Sequence, residues 1–277
     1  LLNKKSFLRG IDMIDIVWLS LIQGITEFLP ISSSGHLFIA SSLFPLHTLG
    51  RSTEVTLNFS TLLVVFLYFR IEIKDLFLAF LKACTGKVST KFHQGLKICV
   101  VTFPVIAVGF LVHTYLDHLT HSFTLFGWGS IFFGILMILA DKLGPLSRTY
   151  NQLSYKDALL IGCAQTLSFI PGASRLGMSL TMSRILGYKP GDAAKISFLT
   201  AIPTGIGALI LLGRNISQDS FFQIGFDFFI VTTICFIMGF STLHFFMWWL
   251  KKRTLLIWGI YRILLGLFIL FYFNAFL

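Results

Sequence analysis

The chain has 277 residues, 55% of them hydrophobic and 12% charged, with 22 Lys and Arg against 12 Asp and Glu for a formal net charge of +10. A soluble domain carries about 25% charged residues, so an ordinary soluble protein is excluded, and apolar runs of about 20 residues recurring along the chain mark an all-α polytopic membrane protein. The Lys and Arg excess falls in the short connections between apolar runs, as cytoplasmic loops require, so nucleic acid is not an expected partner.

Lys4, Lys5 and Arg9 precede the first apolar segment. No small-residue cleavage site follows and the segment leads straight into EFLPISSS, so a cleaved signal peptide is not expected. Residues 15–29 run into a proline-centred polar break, and a second apolar arm follows at 36–46. A helix of about 15 residues rises roughly 22 Å, short of the roughly 30 Å hydrocarbon core. The two arms predict a re-entrant helical hairpin over 14–46, buried in protein or lining a polar cavity. Full spans are predicted at about 53–70, 97–115 and 123–141. The pattern then recurs: arms at 158–170 and 176–187 predict a second hairpin over 157–187, followed by spans at 192–213, 227–250 and 255–276.

Charge sets the orientation. The 70–97 loop carries Arg70, Lys74, Lys82, Lys87, Lys91 and Lys97, the 142–156 loop carries Lys142, Arg148 and Lys156, residues 184–195 carry Arg184, Lys189 and Lys195, and 251–253 reads KKR. The 116–122 loop, with His118 and His121, has neither Lys nor Arg, and 214–226 has only Arg214. Six spans and two hairpins put all four basic loops on one side, the cytoplasm, and both termini outside, against which Lys4, Lys5 and Arg9 argue weakly. The hairpins then approach from opposite faces. The expectation is a single membrane domain over 1–277 made of two repeats of inverted topology, 14–141 and 157–276. QGITEFLPISSSGH at 23–36 faces QTLSFIPGASRLGMS at 165–179, with Phe28 and Phe169 each two residues before Pro30 and Pro171.

Each hairpin holds one formal charge near its break, Glu27 in the first and Arg175 in the second. An ionisable group at membrane depth points to function, although a purely structural Glu27–Arg175 staple is the alternative. Ser20, Gln23 and Glu27 form one polar stripe at i, i+3 and i+7. Ser32, Ser33 and Ser34 begin the second arm, where a helix N-terminus offers free N–H groups to an anion, and His36 sits on its first turn. The second tip adds Gly172 for close backbone approach, the Ser174 hydroxyl, and the planar fork of Arg175, with Ser179 and Ser183 continuing a polar edge. Two converging half-helices and an arginine favour a phosphate. Glu27 or His36 is the candidate general base, Ser33 the candidate nucleophile or phosphate ligand, and Arg175 the group that neutralises transition-state charge. Arg262, about eight residues into the last span, is read either as snorkelling or as supporting the site. Cys84, Cys99, Cys163 and Cys235 are scattered, without metal or disulfide spacing. A transporter or lipid flippase would use the same arginine and half-helices, but needs no base.

At these residues the sequence resembles the undecaprenyl-pyrophosphate phosphatase family, the bacitracin-resistance proteins of bacterial membranes. The family's first motif, Glu or Gln, three residues, Glu, then Pro–x–Ser–Ser–x–Gly–His, reads QGITEFLPISSSGH here. The second, Pro–Gly–x–Ser–Arg–Ser–x–x–Thr, reads PGASRLGMS, with Leu176 in place of Ser and Ser179 in place of Thr. TEVTLNFSTLLVVF at 53–66 is similar to the next family segment, with Glu54 matched and Asn58 where Gln is usual, and SFLTAIP and YRILLG also resemble family segments. The resemblance implies hydrolysis of undecaprenyl pyrophosphate to the monophosphate at Glu27, Ser33, His36 and Arg175, with Gln23, Ser32, Ser34, Gly172, Ser174 and Ser179 on the substrate and Glu54 and Arg262 in support. It implies a divalent cation, Mg²⁺ or Ca²⁺, for which Glu27 is the candidate ligand. It also implies a multi-pass protein of the bacterial plasma membrane with its site opening to the outer face. The oligomeric state is open between monomer and homodimer. The type 2 acid-phosphatase family also carries Ser–Gly–His and Ser–Arg, but its Ser–Arg is followed closely by His and Asp, whereas no His follows Arg175 until His244.

Overall fold

A computed structural model describes residues 13–44, 51–115, 122–213 and 225–276. The N-terminal basic residues, the two histidines near 120 and Arg214 lie outside the described residues. Among those described, the chain is helical and has no strand. Eleven helices follow in order: α1 (Met13–Thr26), α2 (Ser33–Leu43), α3 (Arg51–Tyr68), α4 (Arg70–Cys84), α5 (Thr90–Tyr115), α6 (Phe123–Leu143), α7 (Tyr155–Thr166), α8 (Arg175–Ile185), α9 (Pro190–Gly213), α10 (Gly225–Trp249) and α11 (Leu256–Phe276).

Five helices, α5, α6, α9, α10 and α11, are long and apolar enough to cross a bilayer. They match five of the six expected spans. The sixth expectation falls on α3, whose apolar stretch, Thr53–Tyr68, is shorter. The 70–97 segment is not a loop. Its Ile71, Ile73, Leu76, Phe77 and Phe80 recur at helical spacing beneath the charges, and residues 70–84 form α4. Lys91 of α5 meets Asp75 at 2.5 Å and Lys195 of α9 meets Glu72 at 2.7 Å, so α4 is tied to two neighbours.

Both predicted breaks are present. After α1 the ladder continues to Glu27 N–H on the Gln23 carbonyl at 3.0 Å, and Pro30 then interrupts it. Ser32 takes φ +70°, the left-handed region that a serine enters at a cost of about 1–3 kcal/mol, and α2 starts at the next residue. After α7 a single 3-10 turn, Leu167–Phe169, leads to Pro171 and Gly172, whose φ of +83° glycine adopts without strain. Ser174 then caps α8, its Oγ accepting from the Gly177 N–H at 3.1 Å.

Helices in lipid gain little from apolar contact alone and associate where backbones approach closely. Here α6 and α11 meet along glycines: a Cβ on Gly127 would lie 2.6 Å from Leu270, and one on Gly259 2.4 Å from Ile138. α1 packs on α10, α7 on α5, α3 on both α9 and α10, and α8 on α6. The main core gathers Phe28, Leu29 and Ile31 of the first break with Val64, Val65, Ile161, Leu180, Phe198 and Phe246.

At the end of the molecule holding the basic connections, Arg184 is fully buried. It meets Asp141 at 2.9 Å and donates to the carbonyls of Asp141, Gly144, Pro145 and Tyr188. Arg148 grips both Asp157 oxygens, and the Tyr188 hydroxyl donates to the same carboxylate at 2.8 Å. Two of the cations counted as loop charges thus serve as fully engaged fasteners between α6, α7, α8 and the 144–154 connection.

Candidate active site at the two helix breaks

Glu27 is one residue past α1 and Arg175 is the first residue of α8, so each charge sits where a helix has just been interrupted or begun. The packing of α1, α3, α8 and α9 brings them together across 148 residues of sequence: Arg175 Nη2 donates to Glu27 Oε1 at 2.7 Å. The other carboxylate oxygen accepts from Ser33 Oγ at 2.5 Å and from Gln23 Nε2 at 3.1 Å. Ser33 is the first residue of α2, which points its hydroxyl back toward the end of α1. One carboxylate therefore holds a hydroxyl proton, a guanidinium and an amide at once, and all three neighbours are donors.

These groups border a cavity of about 230 Å³. Its polar wall includes Ser32, Ser33, Ser34, Ser174 and Arg175, and its apolar wall Phe28, Leu62, Val65, Leu176 and Phe198. The N-termini of α2 and α8 both open onto it; the Ser32 side chain does not cap the first turn of α2, while at α8 the Gly177 N–H is taken by Ser174 Oγ. Two positive dipole ends and an arginine set the potential for an anion. The Glu27 and Arg175 side chains are 16% and 33% exposed, so the pair is sheltered but reachable from the cavity.

A family model described as bacitracin resistance protein BacA matches residues 16–268. The chain belongs to the BacA family. Curated relatives support the assignment along nearly the whole length. A protein of Roseobacter denitrificans named undecaprenyl-diphosphatase is 35% identical over 259 residues, which is 93% of this chain and 97% of that protein. Proteins of the same name from Ruegeria pomeroyi and Pelagibacter ubique are 35% and 33% identical, each covering 94% of this chain and 98% of its own length.

Of the residues expected from the BacA-like motifs, the structure gathers Glu27, Ser32, Ser33, Ser34, Ser174 and Arg175 around the cavity, with Gln23 one hydrogen bond behind. Other candidates do not reach it. His36 turns away from Ser33. Its Nδ1 donates to the Ser32 carbonyl at 2.8 Å, so Nε2 is left to accept from the Tyr261 hydroxyl at 2.6 Å. The hydroxyl of Ser33 donates to Glu27 and not to His36. Gly172 faces α6 instead of the cavity: a Cβ there would lie 2.3 Å from the Phe126 carbonyl oxygen. Ser179 is buried and bonds Ser197 Oγ at 2.8 Å, behind the wall. Glu54 is exposed on α3 and is not among the residues that line the cavity, whereas Asn58, one turn further along the same face and donating its amide to the Glu54 carbonyl at 2.9 Å, does line it. Arg262 does not snorkel. It is 1% exposed and donates to the Gly172 carbonyl at 2.8 Å. Sequence reasoning missed Thr61, Ser168 and Ser197 as lining residues. The i, i+3 spacing of Asn58 and Thr61 within an apolar span was the signal for the first.

Among the described residues no group of three or more His, Cys, Asp or Glu is placed to hold a metal ion. The donor set is nevertheless compatible with a hard cation that shares its shell with a substrate: Glu27 is a carboxylate flanked by serine hydroxyls, and Mg²⁺ is commonly held by one or two carboxylates plus phosphate oxygens.

Proposed function

We propose that this chain hydrolyses undecaprenyl pyrophosphate to undecaprenyl phosphate and inorganic phosphate, returning the lipid carrier for peptidoglycan synthesis. The observation that carries the reading is the Ser33–Glu27–Arg175 chain of hydrogen bonds at the mouth of two opposed half-helices, in a family whose curated relatives are named undecaprenyl-diphosphatases. Transport of a lipid phosphate would need the arginine and the half-helices. It would have no use for a hydroxyl whose proton is already directed at a carboxylate.

In this reading the terminal phosphate enters between the N-termini of α2 and α8. Arg175 shifts from Glu27 to the phosphate oxygens, its planar fork suiting two of them. That shift also removes a cation from the carboxylate and leaves it a better proton acceptor. Ser33 Oγ attacks the terminal phosphorus while its proton passes to Glu27 Oε2. The bond from that phosphorus to the bridging oxygen breaks, Glu27 passes its proton to the departing oxygen, and undecaprenyl phosphate leaves. Water, deprotonated by the regenerated Glu27 carboxylate, then attacks the phosphoserine phosphorus; the bond to Ser33 Oγ breaks, inorganic phosphate is released, and Ser33 Oγ takes the proton back from Glu27. The first-turn N–H groups stabilise the charge that builds on the equatorial oxygens. A divalent cation, Mg²⁺ or Ca²⁺, would be held by Glu27 together with the substrate's own phosphate oxygens and would supply charge neutralisation.

The topology of six spans and two re-entrant hairpins, in inverted repeats over 14–141 and 157–276, belongs to the same reading. It is supported by the packing: α1 sits on α10 as α7 sits on α5, and α3 meets α10 as α9 meets α5. The Ile39–Ile269–Phe273 cluster joins α2 to α11 as α8 joins α6. With the basic connections in the cytoplasm, the cavity opens to the outer face. Purified protein given undecaprenyl pyrophosphate should release inorganic phosphate, and the R175K variant should release far less. No release by the folded wild-type protein, with or without Mg²⁺ or Ca²⁺, would refute the reading.

A further inference from the structure

α11 carries Tyr261 and Arg262 side by side, and neither lines the cavity. Successive residues on a helix diverge by roughly 100°, so the two reach different targets. Arg262 enters the seam between the breaks. Its Nη2 donates to the Gly172 carbonyl at 2.8 Å, and its Nη1 stands 3.5 Å from the Pro30 carbonyl. The space is kept for it: a Cβ on Gly177 would lie 2.6 Å from that Nη1, and one on Gly134 would lie 3.1 Å from the Arg262 Cβ. No carboxylate among the described residues pairs with Arg262, so a cation that is costly at membrane depth is spent on two backbone carbonyls, one from each break. Tyr261 holds the other flank. Its hydroxyl donates to His36 Nε2 at 2.6 Å, the rings stack with an interplanar angle of 10°, and His36 Nδ1 secures the Ser32 carbonyl. Among the described residues Ser32 is the non-glycine residue held at positive φ, and Ser33 follows it directly.

We infer that Tyr261 and Arg262 are positioning residues for the hydrolysis proposed above. Tyr261, through His36, fixes the strained Ser32–Ser33 turn, and Arg262 sets the separation of the two breaks through Gly172 and Pro30. The inference rests on the hydrolase reading. His36 is then an intermediary in a chain that runs from α11 to the nucleophile, which explains why its ring faces away from the phosphate site. A displacement of about 1 Å at a reacting group can cost about a hundredfold in rate, so loosening either hold should lower kcat while leaving the phosphate contacts and KM in place.

The test compares wild type, Y261F, H36A, the Y261F/H36A double variant, R262Q and R262K on undecaprenyl pyrophosphate, with kcat and KM measured separately. Y261F should lower kcat about tenfold with KM within about twofold. The double variant should be no slower than H36A by more than about twofold, because both removals break one chain. R262Q should lose more than Y261F, and R262K, which keeps a donor and the charge, should recover part of the loss. Wild-type kcat in Y261F and R262Q, or additive losses in the double variant, would overturn the inference while wild-type turnover keeps the hydrolase reading intact. Absence of turnover in wild type would remove that reading and this inference with it. If R262Q does not purify as a folded protein, Y261F and the cycle decide, since Y261F removes only one oxygen.

Discussion

Glu27→Gln separates the chemistry of the site from its architecture. The carboxylate accepts from Arg175 at 2.7 Å, from Ser33 at 2.5 Å and from Gln23 at 3.1 Å. Glutamine keeps the shape but has one accepting oxygen and one donating NH₂ group. With its oxygen toward Ser33 it faces the Arg175 guanidinium with a donor, and in the other rotamer Ser33 loses the acceptor for its proton. The lost charge-assisted hydrogen bond would be worth about 1.5–3 kcal/mol if fully buried. The one-third exposure of Arg175 brings that toward about 1 kcal/mol, so the protein should remain folded. Removing a general base costs about 10²–10⁴ in rate. The expected result is a fall in kcat of about a thousandfold, equivalent to about 4 kcal/mol. KM should not rise, because Arg175 is freed for phosphate. Steady-state phosphate release in detergent micelles measures both, and a monodisperse elution profile checks the fold. A kcat within about threefold of wild type would refute Glu27 as the base. Recovery of the variant by added Mg²⁺ or Ca²⁺ would reassign Glu27 to metal binding.

Arg175→Lys keeps the charge and loses the planar fork, so turnover should fall at least about tenfold, about 1.4 kcal/mol, and near-normal activity would contradict a phosphate-gripping role. Ser33→Ala should abolish turnover, and a single turnover in ¹⁸O-labelled water with wild type should pass through a phosphorylated enzyme. Detectable product with no such intermediate would make Ser33 a phosphate ligand. Single cysteines at Gln152 and Lys189, in a background without native thiols, should label only from the cytoplasm, and those at Leu46 and Ser52 only from outside. Labelling of the two ends of either hairpin from opposite faces would dissolve the inverted repeat.

The bilayer makes some features of this chain easy to read. Apolar length marks the spans, and proline marks both breaks. A charge in an apolar arm is conspicuous because membrane depth makes it expensive, which is why Glu27 and Arg175 stand out. Partners are harder to foresee. His36 was legible as a residue type beside a serine, but its orientation is set by Tyr261, 225 positions along the chain. Gly172 read as a place for phosphate because glycine permits close approach. The backbone it approaches belongs to α6, where a Cβ on Gly129 would lie 2.1 Å from the Pro171 carbonyl oxygen. α4 was hidden for another reason. Its lysines and acids satisfied the pattern of a basic loop, while the apolar residues between them already had helical spacing and the acids Asp75 and Glu72 found salt-bridge partners on α5 and α9.

The two arginines at the breaks show what the arrangement requires. Arg262 is 1% exposed and bonded to backbone, so solvent and substrate cannot compete for it, and it suits a fixed part. Arg175 is 33% exposed and paired with a carboxylate that has two other donors. Its departure toward an arriving phosphate leaves Glu27 still hydrogen-bonded by Ser33 and Gln23, so the carboxylate is not stranded as an unsolvated charge. A fully buried Arg175–Glu27 pair would resist that exchange, because breaking a buried pair costs about 3–5 kcal/mol. A fully exposed pair would be screened and would not hold the two tips in register. In the proposed hydrolysis, intermediate burial for Arg175 would let that cation move, while complete burial of Arg262 would keep the breaks in place.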